Sequence, residues 1–220
     1  MRAALLGMSV AFASITGPVS AAVLVNGGFE TPDLGTDTRY SFVNPSNVPG
    51  WQTTDSRIEI WANGFLGVTS YEGTQHAELN AKNFGTLSQT VNAIAAGTDL
   101  MLEFAHRARV GTDVMRVDVV DLGLDLFDAG DDTSLFSQEY AATTASWVFT
   151  SLTGLHSLGN DIRLSFTAVS TGSGSVSVGN FLDAVRLEAA VAPVPLPATG
   201  VLLFGALGAA GVARRLRRKT

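Results

Sequence analysis

Apolar and polar residues alternate with a period of two along most of the chain. Ile162, Leu164 and Phe166 alternate with Arg163, Ser165 and Thr167. Leu100, Leu102 and Phe104 alternate with Met101 and Glu103, and Met115, Val117 and Val119 with Arg116 and Asp118. Ile58-Glu-Ile-Trp61 repeats the pattern, His76-Ala-Glu-Leu79 follows the turn at Glu72-Gly73, and Leu87 to Val91 follows Gly85. Val23-Leu-Val25, Trp147 to Leu152 and Phe181 to Leu187 complete the set. Side chains two apart share a face of a strand, so this spacing predicts about ten half-buried strands. No segment between Val23 and Ala190 carries a helical stripe. The expected fold is therefore all-β, an antiparallel two-sheet jelly-roll sandwich. Thr31 to Pro49, rich in Pro, Asn, Ser, Thr and Asp, reads as a long surface loop. Phe29, Trp51 and Trp147 are expected in the core, since Trp in a sandwich is mostly buried.

Two uncharged stretches at the ends break the alternation. Arg2 precedes the apolar run Ala3 to Ile15 and the small residues Val19-Ser-Ala-Ala22, which reads as a secretory signal peptide over residues 1–22, cleaved after Ala21 or Ala22. Residues 23–190 then form the exported domain, and 191–220 a C-terminal device. No charge occurs from Ala189 to Ala213. Prolines confine a single membrane helix to about 200–213. Arg214, Arg215, Arg217, Arg218 and Lys219 follow and hold that end on the cytoplasmic side. Val194, Pro195, Leu196, Pro197 and Ala198 stand immediately before the helix.

Removing these ends changes the charge. Of 14 Lys and Arg, one lies in the signal and five in the basic tail, which leaves 8 between Val23 and Ala190 against all 20 Asp and Glu, a balance of −12. Such a domain lacks the clustered cations that nucleic acid requires, and cations are its natural partners. With no cysteine, disulfides, thiolate metal sites and Cys nucleophiles are excluded, so core packing has to hold the domain together.

Candidate chemistry is modest. Trp61, beside Asn63 and Gly64, could stack on a pyranose together with Tyr71. Gln75, His76, Glu78 and Asn80 alternate on a strand, where Gln75, His76 and Asn80 offer hydrogen bonds to hydroxyls. Exposed strand polarity explains them equally well. Asp121 to Asp132 reads as a solvated acidic hairpin loop, because it lacks the spacing of a calcium-binding helix–loop–helix. The three histidines, His76, His106 and His156, have no metal-ligand spacing, and no Gly-x-Ser-x-Gly elbow is present. Glu78 with Glu103 is a weak candidate for a glycosidase pair. His106-Arg-Ala-Arg109 reads as a small basic patch that pairs with nearby acids.

Two resemblances add to this reading. Val194-Pro-Leu-Pro-Ala198, the apolar helix and the Arg-rich end resemble, in order and spacing, the VPLPA variant of the PEP-CTERM sorting signal of Gram-negative bacteria. That resemblance implies recognition by an exosortase-type transpeptidase, an inner-membrane-anchored precursor and a final cell-surface or extracellular location. Leu196-Pro-Ala-Thr-Gly200 also matches the LPxTG sortase signal, and that alternative stays open. Asn26-Gly-Gly-Phe-Glu30, Gly50-Trp51, Tyr71 to Asn80, Leu87-Ser-Gln-Thr90, the strand from Leu100 to Arg107 and Phe181 to Leu187 resemble the galactose-binding-like jelly rolls that include carbohydrate-binding modules. This second resemblance implies a structural Ca2+ held by Glu30 and Asp183 with backbone carbonyls near Asn26, although Ala184 stands where the family often has a second acid. The expected function is binding of an exopolysaccharide or cell-surface glycan, without catalysis. The alternatives are a structural or adhesive matrix component with no discrete ligand site, and a glycan-active hydrolase.

Overall fold

A computed structural model describes residues 19–22, 24–92, 94–124 and 130–191. The sorting motif, the apolar helix, the basic tail and most of the signal peptide lie outside the described residues. Among the described residues there are twelve strands, no α-helix and two 3-10 turns, Pro45–Asn47 and Phe65–Gly67. The strands are β1 (Val19–Ala22), β2 (Tyr40–Val43), β3 (Gln52–Thr53), β4 (Ile58–Ala62), β5 (Gln75–Glu78) and β6 (Thr86–Val91). They continue with β7 (Asp99–Arg107), β8 (Thr112–Asp121), β9 (Thr133–Thr143), β10 (Val148–His156), β11 (Ile162–Ser170) and β12 (Phe181–Val191).

They form the expected antiparallel sandwich. One sheet runs β10-β7-β12-β5-β4-β2, with β1 also pairing β12, and the other runs β3-β6-β11-β8-β9. Non-consecutive neighbours such as β7-β12-β5 are crossings between the two sheets that a jelly roll requires.

The period-two pattern explains the core between the sheets. Met115, Val117 and Val119 of β8 and Ile162, Leu164 and Phe166 of β11 face Ile58 and Ile60 of β4, Leu100, Leu102 and Phe104 of β7, and Leu182, Val185 and Leu187 of β12. Trp51 packs its ring 5.0 Å from Phe29 and 6.3 Å from Phe166, and its indole N–H donates to the Asn26 carbonyl at 2.9 Å. Phe29 and Trp51 are thus the core plugs the sequence led us to expect.

Four expectations need correction. Tyr40–Val43 is a strand inside the stretch read as loop; Tyr40 and Phe42 alternate there with Ser41 and Val43, too briefly to stand out among polar neighbours. Leu24 and Val25 lie outside any strand, and the N-terminal strand is Val19–Ala22. The exposed edge strand β9, where little apolar alternation is visible, went unpredicted. Trp147 is half-buried on the outer face of the larger sheet and packs beside Trp61 and Phe181, away from the main core.

Candidate functional site

Residues of β4, β5 and β12 that point away from the main core build a second, smaller nucleus on the outer face of the larger sheet. Trp61, Val68 and Phe181 are buried there, with Phe65 and Trp147 packed against them. The alternation that sends Ile58 and Ile60 inward sends Glu59 and Trp61 outward, and Ala77 inward sends His76 and Glu78 outward. In β4 every residue from Ile58 to Trp61 is buried, because connecting loops cover the outer face.

Beside this nucleus lies a cleft of about 420 Å³, lined by Tyr40, Phe42, Glu59, Trp61, Phe65, Lys82 and Arg109, with Ala81, Ser177 and Val178 at its rim. Tyr40 stacks nearly parallel on Phe65, with centroids 5.5 Å apart, and stays half exposed. Phe65 meets Trp61 at 4.6 Å, so the aromatic lining is continuous from the sheet edge to the floor. A second pocket of about 380 Å³ adjoins it through Phe65 and is lined by Arg39, Asn63 and Leu66 among others.

The floor is charged. Glu59 and Glu78 are directly opposed partners on β4 and β5. The Glu59 carboxylate accepts the Trp61 indole N–H at 2.9 Å. Both Glu78 oxygens accept from Nη1 of Arg109, at 3.1 and 2.9 Å, and one also accepts the Gly179 N–H at 2.7 Å. The Arg109 guanidinium lies 4.5 Å from the Trp61 ring centroid, a cation–π contact. Burial raises Glu59 to about 7 against the pull of the Trp61 N–H. Burial and the neighbouring Glu59 raise Glu78 to about 8, while Gly179 N–H and Arg109 oppose the shift. Two opposed carboxylates taken out of water titrate as a unit, and one proton between them near neutrality is the state this geometry favours.

Asp113 fixes the loops that deliver these groups. Fully buried, it accepts the N–H groups of Arg109 at 2.8 Å, Gly172 at 2.9 Å and Asn180 at 2.9 Å, tying the β7–β8 turn to the β11–β12 loop. Asn180 takes a positive φ of 55° and donates to Asn80 and to the Ser170 carbonyl. Its side-chain oxygen lies 3.1 Å from Nε2 of His106, whose pKa burial lowers to about 4. Neutral His106 therefore donates that hydrogen bond.

The residues expected to contact a glycan are dispersed. Trp61 does line the cleft, but it is 1 % exposed and its face is shut by Arg109, Phe65 and Phe181, so it is a floor and not an open platform. Tyr71 is 41 % exposed and stacks on Phe149 at 5.6 Å with Trp147 against its edge, on a separate aromatic patch near β10. Gln75 is buried and fully engaged: its amide donates to the carbonyls of Phe29 and Pro32 and accepts the Leu34 N–H. His76 is fully buried among Trp61, Trp147 and Phe181, with Nδ1 at 3.0 Å from the Ser70 hydroxyl, and burial lowers it to about 3. Asn80 donates to the Val176 carbonyl. These three anchor loops, because strand polarity here faces covering loops and not solvent. Glu103 does not join Glu78; it faces Arg186 at 3.9 Å. The residues missed were Tyr40, Phe42, Glu59, Phe65 and Lys82. The expectation that Arg109 pairs with an acid holds.

Glu30, Asp183 and Asn26 tie the N-terminal segment to the loop before β5. Glu30 accepts from Thr74 N, Thr74 Oγ1 and Gln75 N at 2.8, 2.6 and 3.0 Å. Asp183 accepts from Tyr71 N, Glu72 N and its neighbour Ala184 N at 2.8, 3.1 and 2.7 Å, and burial raises it to about 7. Asn26 closes on Thr31 through both side-chain atoms. Donor N–H groups surround these carboxylates, a setting that suits an anion's oxygens and opposes a cation. No group of three metal-capable side chains converges among the described residues. The arrangement does not fit the Ca2+ implied by the resemblance.

No protein-family model matches the sequence, and no curated protein matches it. Solved structures do match by fold. The chain is similar to the carbohydrate-binding module TmCBM61, solved in complex with β-1,4-galactotriose. That likeness has 15 % identity and TM-score 0.50, and covers 76 % of this chain and 97 % of that one. It is also similar to the CBM22-1 xylan-binding domain of Paenibacillus barcinonensis Xyn10C, with 11 % identity and TM-score 0.47 over 70 % of this chain and 94 % of that one. The molecule is an all-β sandwich with the jelly-roll fold of carbohydrate-binding modules.

Proposed function

We propose that this chain is a non-catalytic glycan-binding module, exported and sorted to the cell surface or extracellular matrix. The cleft beside Trp61 carries the reading. Its aromatic wall of exposed Tyr40 and half-buried Phe65, next to Lys82, Arg109 and Glu59, pairs flat apolar faces with polar groups, as orientation of a small ligand requires. The jelly-roll neighbours named above, one solved with a bound galactan fragment, support it. A hydrolase reading is weaker, because both oxygens of Glu78 are held by Arg109 and Gly179 and so are not free to act on a glycosidic bond.

The full-length protein in detergent, applied to a glycan array, should bind at least one polysaccharide. Tyr40→Ala should weaken that binding roughly tenfold while leaving the fold intact. No binding, or binding indifferent to Tyr40, would overturn the proposal. The sorting half rests on Val194 to Ala198 and the basic tail at Arg214 to Lys219. Replacing Pro195 and Pro197 by Ala in the producing cell should leave an unprocessed, membrane-held precursor; normal processing would remove the exosortase as partner.

A further inference from the structure

Between Val23 and Ala190 only 8 Lys and Arg face 20 Asp and Glu, so a surface that gathers cations runs against the domain's own balance. The two adjoining pockets do so. Lys82 and Arg109 line the first, Arg39 lines the second, and the one carboxylate among their lining residues is Glu59. Lys82 holds its Nζ 3.4 Å from the Phe42 ring centroid and forms no ion pair among the described residues. Arg39 likewise is exposed and forms none. Arg109 uses Nη1 alone on Glu78, and neither Nε nor Nη2 has a hydrogen-bond partner among the described residues. A guanidinium with one nitrogen anchored keeps a planar donor edge that matches the two oxygens of a carboxylate or sulfate.

We infer that the joined pockets bind an anionic polysaccharide, with Lys82, Arg39 and the free edge of Arg109 contacting its charged groups. The inference rests on the glycan-binding reading of the first pocket and names the ligand's class. The domain's net negative charge works against loose adhesion to polyanions, so contact has to be made at this cationic site. Glu59 is faced by the Trp61 N–H on its own strand, by Glu78 of β5, by Tyr40 and Phe42 of β2, and by Lys82 and Arg109 from the loops. Raised by burial to about 7, it becomes neutral in mild acid and ceases to repel an anion. Ligand carboxylates remain ionised down to roughly pH 4, so binding should tighten as pH falls from 8 to 6.

The test is titration calorimetry of the full-length protein in detergent with two matched pairs: polygalacturonate against its methyl ester, and dextran sulfate against dextran. The charged member of at least one pair should bind roughly tenfold tighter than the neutral one, and the responding pair distinguishes carboxylate from sulfate. Lys82→Gln and Arg39→Gln, both at exposed positions, should each weaken it by a similar factor with unchanged melting temperature. Preference for charge that survives both substitutions would place the anion elsewhere and overturn the site. Neutral glycans bound as well as charged ones, in these pairs or on the array, would overturn the anionic class and leave glycan binding standing. No binding to any of them would remove both readings.

Discussion

Arg109 holds both oxygens of Glu78, a carboxyl wholly out of water, with its guanidinium about one-quarter exposed, and the contact is an ion pair only once that carboxyl has lost its proton. Removing one partner of such a pair leaves the other without compensation, and that loss exceeds the net worth of the pair. Arg109→Gln should therefore cost about 3 kcal/mol in urea unfolding, and adding Glu78→Gln should recover part of it, because a neutral amide tolerates burial. The buried carboxyls also set the pH dependence. Glu59, Glu78 and Asp183 bind protons more tightly folded than unfolded, with values of about 7, 8 and 7. The stability they contribute is fully present below the unfolded carboxyl range and is lost as pH rises through 7 to 8. His76 and His106 are shifted the other way, and their loss occurs as pH falls below about 6.5, so between pH 6.5 and 8 the carboxyls act without them. The melting temperature should fall between pH 6.5 and 8, and Glu59→Gln should flatten that slope.

At the scale of elements, β2 and β4 supply Tyr40, Phe42, Glu59 and Trp61 to the cleft, and the loops add Lys82 and Arg109 and fix the geometry. Asp113→Ala would strip three N–H groups of their acceptor in two separate loops, the one at Asn180 buried and those at Arg109 and Gly172 nearer solvent. A loss on the order of 3 kcal/mol follows, with faster amide exchange at Gly172 and Asn180 as the local signature. The loop before β5 is tied by Glu30 and Asp183 through N–H donors, so a chelator should leave the melting temperature unchanged, whereas a bound ion would raise it by mass action. These same elements show what the sequence could reveal. β8 and β11 were legible because their alternation faces one core and one exposed or half-polar surface. β4 and β5 were legible as strands but misread as to site, since covering loops bury both their faces. That burial turns Gln75, His76 and Asn80 from apparent ligand contacts into loop anchors. Tyr40 and Phe42 could have been found from their spacing, Tyr-x-Phe within a polar stretch. Lys82 and Glu59 could not, because only the pairing of β2, β4 and β5 brings them to one cleft.

For the whole molecule, the placement of β12 matters most. Ser177 and Val178, in the loop that leads into it, line the cleft, and β12 itself runs from Phe181 to Val191, about 30 Å of extended strand. β12 lies between β7 and β5 and is hydrogen-bonded to both. Tension between a polymer held in the cleft and whatever follows Val191 would run along the length of this strand. Its ladder to β7, from Phe181 to Ala189, would then be loaded in shear, with many bonds strained together rather than unzipped in turn. In single-molecule pulling between a seated glycan and the C-terminal end, the ligand should slip before the domain yields. If the cleft holds a glycan as proposed, the contact with the sugar would give way before the sandwich does.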